Sequence, residues 1–127
     1  MAGAAVEAIE VVTLVAKSAV ASRGLFVEAN SGGEYGCSTA NADTDRCLGV
    51  AMESALTGEA VAVGIGGILE CKTGAAVAIG NSVGTDSSGR AILAASGKTI
   101  LGTALTSSSG ADKFISVLVG YHGAALE

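Results

Sequence analysis

Two stretches of this chain repeat one another, and that repetition limits the fold more than any other feature. Residues 48–68 read LGVAMESALTGEAVAVGIGGI, and residues 101–121 read LGTALTSSSGADKFISVLVGY. Leu48-Gly49 aligns with Leu101-Gly102, Ala51 with Ala104, and, after a one-residue slip, Gly58 with Gly110. Val61, Val63, Ile65 and Gly66 then align with Ile115, Val117, Val119 and Gly120. Upstream, residues 17–33 align with residues 72–89, pairing Gly24 with Gly80, Val27 with Val83 and Gly33 with Gly89. The chain reads as two copies of a unit of about 55 residues, 13–68 and 69–121, against the alternative of chance similarity in Gly/Ala/Val-rich sequence. Two copies are too few for a solenoid and suit one barrel or sandwich with pseudo-two-fold symmetry.

Each unit reads as strands. Val61, Val63 and Ile65 alternate with Ala62, Gly64 and Gly66, and Ile115, Val117 and Val119 alternate with Ser116, Leu118 and Gly120. Period two marks a strand with one face on the core. Leu25 and Val27 precede a turn at Asn30-Ser31-Gly32-Gly33, and Val83 precedes one at Asp86-Ser87-Ser88-Gly89. Such residues favour tight turns because they tolerate left-handed backbone or bond to it. Closely spaced turns with short strands predict an all-β domain, a compact barrel or sandwich over residues 13–121. Residues 1–12 read as an extended N-terminal arm, and residues 122–127 as a tail ending in a tag remnant, Leu126-Glu127. The N-terminal stretch is two-sided. Ala5, Ile9, Val12, Ala16 and Ala19 fall at helical spacing, while Val11-Val12-Thr13 favours a strand, preferred here from about Glu10 to Val15. Short helices near Thr39–Asp45 or Met52–Thr57 are compatible with the sequence.

Half of the residues are apolar, yet only 3% are aromatic, and there is no Trp or Pro. The core must be built from small aliphatic side chains, each burying little area at roughly 25 cal/mol per Å². Such a domain needs very regular packing or help from neighbouring subunits. Net charge is −5 with seven scattered Lys and Arg, so the clustered basic surface that nucleic acid or an anionic membrane would need is missing. No run of about 20 strongly apolar residues is present to form a transmembrane helix. Glu7 and Glu10 come early and no basic segment precedes them, which is unlike a secretory signal. Cys37, Cys47 and Cys71 make an odd set without CxxC, read as reduced thiols, with a Cys37–Cys47 bridge across a hairpin as the alternative.

Patterns that carry chemistry are incomplete. Gly64, Gly66 and Gly67 suggest a dinucleotide fingerprint, but position 69 is Leu69 and no helix start follows to hold a pyrophosphate. Asn41-Ala42-Asp43-Thr44-Asp45 opens like a calcium loop, but Arg46 and Met52 stand where Gly and Glu are required. Gly36-Cys37-Ser38-Thr39-Ala40 approaches a nucleophile elbow and ends in Ala40. The single histidine, His122, lies near the C-terminus, where a triad histidine lacks a packed shell. Glu53 with Glu59, or Asp43 with Asp45, could serve acid–base work but sit in turn-like contexts. No enzyme, cofactor or metal site is expected.

Taken in order, the motifs resemble the capsid cement, or decoration, proteins of tailed bacteriophages. The residues that carry the resemblance are Val12-Thr13-Leu14 with Val20, Gly24 and Val27, then Gly49-Val50-Ala51, Ala55, Gly58-Glu59, Val61, Val63 and Gly67. They continue through Thr73-Gly74-Ala75-Ala76-Val77, Gly80-Asn81-Ser82-Val83, Asp86 and Gly89-Arg90-Ala91 to Gly102, Ala104, Gly110 and Val117-Leu118-Val119. The chain departs at Asn81-Ser82, where members often carry Asp, and in a longer cysteine-bearing insert from Tyr35 to Cys47, read as a contact loop. The resemblance implies a protein that binds the outside of an assembled phage head, contacts the major capsid protein, and reinforces the shell, with a homotrimer favoured. Its N-terminal arm could add a strand to a neighbour's sheet edge. Val6, Ile9 and Val11 on the arm, and Gly64 and Gly66 on a bare strand face, are the expected subunit or capsid contacts. That glycine face is also where another backbone is expected to approach closely. The competing reading is a β-barrel binding module for a glycan or host receptor, disfavoured because only Phe26, Tyr35, Phe114 and Tyr121 are aromatic.

Overall fold

The computed structural model describes residues 7–44 and 46–119. Nine strands occur among them: β1 (Glu7–Ala16), β2 (Phe26–Ala29), β3 (Gly36–Thr39), β4 (Cys47–Ala51), β5 (Ala60–Lys72), β6 (Ser82–Thr85), β7 (Ala91–Leu93), β8 (Gly102–Ala104) and β9 (Phe114–Val119). There is no helix among the described residues, so the fold is all-β as expected. Residues 39–44 and 52–57, compatible with helix in sequence, hold none: Thr39 ends β3, Ala55 bridges Val20, and the rest is turn, bend or irregular. The N-terminal segment is strand from Glu7, three residues earlier than its β-branched run suggests, because β5 offers a long partner edge.

The sheet runs β1-β3-β2-β4-β5-β9-β8-β6-β7, and β1 also pairs with β5. The first five strands therefore close into a small barrel, with β1 parallel to β3 and antiparallel to β5. The remaining strands repeat the arrangement. β2 pairs with β3 and β4, and β4 with β5; likewise β6 pairs with β7 and β8, and β8 with β9. The C-terminal half of β5 plays the part of β1 here: it pairs antiparallel with β9, and Thr73 bridges Ala91 in parallel as Ala16 does Cys37. β5 thus ends the first unit and begins the second, and the 68/69 division read from sequence falls inside it.

Hydrogen bonds repeat with the ladder. Val20 and Ala55 exchange two backbone bonds, as do Val77 and Ser108. Gly24 N–H donates to Ala51 O, and Gly80 N–H to Ala104 O, each at 2.8 Å. Gly24 and Gly80 have φ of 87° and 88°, a left-handed backbone that glycine adopts without a Cβ penalty. Two sequence pairings shift. The counterpart of left-handed Gly89 is Tyr35, also left-handed, and not Gly33. Gly58 N–H bonds Ala16 O, and its counterpart bonding Thr73 O is Asp112, not Gly110. Both are left-handed, and Asp is among the few side chains that tolerate this.

Each unit has its own core. The first gathers Ala16, Val20, Val27, Cys37, Ala51, Val61 and Val63; the second gathers Val77, Val83, Ala91, Ala104, Ile115 and Val117, among others. Phe26, Ala40 and Val50 belong to the first unit by sequence but pack in the second core. Neighbouring residues on a strand point to opposite faces, so Val27 and Ala51 face the first core while Phe26 and Val50 face the second. β2 and β4 are therefore covered on both sides at Phe26-Val27 and Val50-Ala51, which explains why these residues do not alternate in polarity. The insert from Tyr35 to Cys47, expected as a contact loop, instead holds β3, whose Gly36, Cys37 and Ser38 are buried. The stretch reads as a loop because it lacks period-two apolarity, but pairing with β1 and β2 fixes it in the barrel wall.

Candidate functional site

Four of the five expected contact residues lie together where β1 pairs with β5: Ile9 and Val11 on β1, and Gly64 and Gly66 on β5. Val6 lies outside the described residues. Ile9 is the extra residue of a bulge in β1, since Ala8 pairs with Gly67 and Glu10 with Gly66. Val11, also on β1, is 48% exposed and pairs with Gly64. Gly64 is buried, and a Cβ there would meet the Leu69 side chain at 2.6 Å. Gly66 is half-buried, with open space where its Cβ would be. The closest backbone approach involves Gly64 through its carbonyl rather than through its bare face: its partner is Gly49, matched in the second unit by Gly102. A Cβ on Gly49 would run into the Gly64 carbonyl oxygen, and one on Gly102 would sit 2.6 Å from the Leu118 carbonyl oxygen. The approach is therefore within the chain, on the strands facing β5 and β9. The sequence marks both glycines only as an aligned Leu-Gly pair and not as the place of this approach.

Carboxylates that might have served chemistry hold turns. Glu53 accepts from Ala62 N–H at 2.9 Å, and Glu59 from Leu56 N–H at 2.7 Å. Asp86 accepts from the Ser88 and Arg90 amides, each at 2.9 Å, fixing the β6–β7 turn. The Arg90 guanidinium bonds Asp112 and Asp86, each at 3.1 Å, and these partners hold it protonated above the usual arginine range, Asp112 first. This ties the turn to the loop before β9. Asp43, in the calcium-like stretch, faces Lys98 at 3.5 Å. Among the described residues no group of His, Cys, Asp and Glu could hold a metal.

At the seam between the units, Arg23 bonds Glu70 at 2.7 Å and stacks on the Phe114 ring at 4.3 Å. Beside it lies a half-open cleft of about 110 Å³ lined by Gly24, Val50, Met52 and Leu69. Small-molecule sites measure roughly 300–1,000 Å³, so this cleft suits at most one side chain. Exposed large apolar residues are instead spread over the surface, including Val11, Tyr35, Leu56, Ile79, Leu93 and Leu118. That distribution fits broad contact rather than capture of a small ligand.

None of the three cysteines is in a disulfide. Cys37 and Cys47 lie on β3 and β4, which flank β2. Strands two places apart are roughly 9–10 Å apart, beyond the roughly 7 Å Cα limit of a bridge. Burial raises the Cys37 thiol pKa; burial, then the Glu70 charge, raises that of Cys71. A thiol reagent should therefore modify half-buried Cys47 first and reach Cys37 and Cys71 only on unfolding. Equal labelling rates for all three would contradict this burial. A raised folded pKa stabilises below the unfolded value, so stability should fall as pH climbs past the unfolded thiol's ~8.5.

The comparisons with known proteins agree with this architecture. A search of curated proteins finds no match. Among solved structures, the chain is similar to the N base of head fiber gp8.5 in bacteriophage phi29, with a TM-score of 0.71 and 19% identity. The match covers 93% of this chain and 98% of that one, and at this identity it speaks to the fold. The phage cement protein family matches residues 2–120, nearly the whole chain. A two-core β-domain whose polar groups are spent on turns thus belongs to the phage cement protein family, with a capsid-associated decoration function.

Proposed function

We propose that this protein binds the outer surface of an assembled phage head, contacts the major capsid protein, and does so as a homo-oligomer, a trimer being favoured. It is made in the host cytoplasm and acts without catalysis or cofactor, by adding contact area between neighbouring shell subunits. The observation that carries this reading is the family match over residues 2–120. The structural neighbour's description as a head fiber base supports a position on the head. The scattered exposed apolar side chains supply contacts that are individually weak. Repeated over a closed lattice, such contacts give high avidity without a deep site. Val11, exposed on β1, is the described residue best placed among the expected arm contacts.

Purified protein mixed with expanded, undecorated heads should co-sediment in a fixed ratio and raise the temperature at which the heads break open. Val11→Asp should weaken binding by about tenfold, the scale of one well-buried apolar contact. Absence of stoichiometric binding, with head stability unchanged, would sink the reading.

A further inference from the structure

The two units differ in what covers their cores. In the first unit a cross-strand row runs Phe26, Val50, Gly64, Val11. The same row in the second unit runs Ser82, Thr103, Leu118, Ile68. Phe26 and Val50 of the first row lie in the second core, and a Cβ on Gly64 would touch Leu69. On that side Leu69, Cys71 and Val119 are buried. Their counterparts in the first unit, Val12, Leu14 and Ile65, are only half-buried against their own core. No described residue plays the part of the first row for them. The second row, meanwhile, is open: Leu118 is 40% exposed, and Ser82, Thr103 and Ile68 are half-buried.

We propose that the open row of one copy, centred on Leu118, packs over Val12, Leu14 and Ile65 of a second copy. The contact that joins the units within one chain would then recur between chains. This rests on the self-association proposed above and names its surfaces. A second copy is the fitting occupant because the complementary surface exists on this chain and already makes the equivalent contact once. The interface is heterologous, row against uncovered core, so it closes into a ring when its rotation allows. Side-chain sizes are exchanged across it. Where Gly64 leaves room for Leu69, Leu118 projects and meets the smaller Val12. Ser82 and Thr103 stand where Phe26 and Val50 seal the internal seam, so the contact between chains is weaker and depends on concentration.

Sedimentation velocity on the full chain, from roughly 1 μM to 1 mM, tests this. The wild type should shift to larger species as concentration rises. Leu118→Glu spoils the row and Val12→Arg the uncovered core, and each alone should weaken association by at least about tenfold. Mixed together, they should form a dimer and nothing larger, because one intact row and one intact core face remain. Should Val12→Arg fail to fold by circular dichroism, amide exchange of the wild type decides. Exchange along residues 10–14 and along β8 and β9 should slow as concentration rises. A wild type that stays monomeric throughout overturns the proposal, as does a Leu118→Glu variant that associates normally, a mixture of folded variants that stays monomeric, or exchange that does not change. A monomer that still binds heads stoichiometrically would leave the capsid reading standing and remove only this interface.

Discussion

Phe26→Ala should destabilise the protein by about 3–5 kcal/mol, the range for deleting a fully buried aromatic side chain. Phe26 is completely buried, yet its burial does not come from its own barrel. It projects from β2 away from the first core and fills the second, so its loss opens a cavity at the seam between the units. For a chain of this length the melting temperature should drop by roughly 10–20 °C. The internal repeat supplies a control. Ser82 occupies the equivalent place on β6, half-exposed and outside any core. Ser82→Ala should change stability by no more than about 0.5 kcal/mol. Thermal and urea unfolding of the two variants side by side measure the difference. A Phe26→Ala loss below about 1 kcal/mol would mean that the seam is not packed as described.

The second large effect is at Gly49. Gly49→Ala places a Cβ on the Gly64 carbonyl oxygen and 3.1 Å from Val63 Cγ1. A flexible side chain could move aside, but a carbonyl in a strand paired on both edges cannot shift without breaking the ladder. The expected loss is about 3 kcal/mol or more, at the upper end of overpacking effects. Gly102→Ala should behave similarly, with the Leu118 carbonyl oxygen at 2.6 Å and Val117 Cγ1 at 2.7 Å. Gly66→Ala should be close to neutral, within about 0.5 kcal/mol, because open space surrounds the new methyl group and φ is not left-handed. If Gly49→Ala and Gly66→Ala unfold at the same denaturant concentration, the close approach at Gly49 is absent.

These two effects also mark how far the sequence can be read. Period-two apolarity located β5 and β9, the Asn30 and Asp86 turns located the ends of β2 and β6, and the paired glycines located the equivalent positions of the two halves. Each is a local signal, set by side-chain alternation or by a backbone conformation that few residues tolerate. The same signals pointed to one partner of the close backbone approach, Gly64, and not to the other, Gly49. VAVGIGGIL shows that glycines line one face of β5 without showing what lies against that face. On that face Gly64 accommodates the Leu69 side chain and Gly66 meets open space, while the tight contact is between the Gly64 carbonyl and Gly49, whose alignment with Gly102 does not show what it faces. β3 was illegible for a related reason. Its Gly-Cys-Ser-Thr sequence has no strand pattern, and only pairing with β1 and β2 holds it extended.

The sequence by itself determined an all-β chain of two like halves with small aliphatic cores, and the order of motifs that places it among phage cement proteins. It could do so because alternation, turn chemistry and repetition are written along the chain. The tertiary structure decided which faces are covered. It made β5 the last strand of one unit and the first of the next, turned Phe26 and Val50 out of their own core into the neighbouring one, and left Val12, Leu14 and Ile65 half-covered. These facts depend on contacts between residues far apart in sequence. A strand's alternation reports that it has two faces, and only the arrangement of the other strands determines what each face meets.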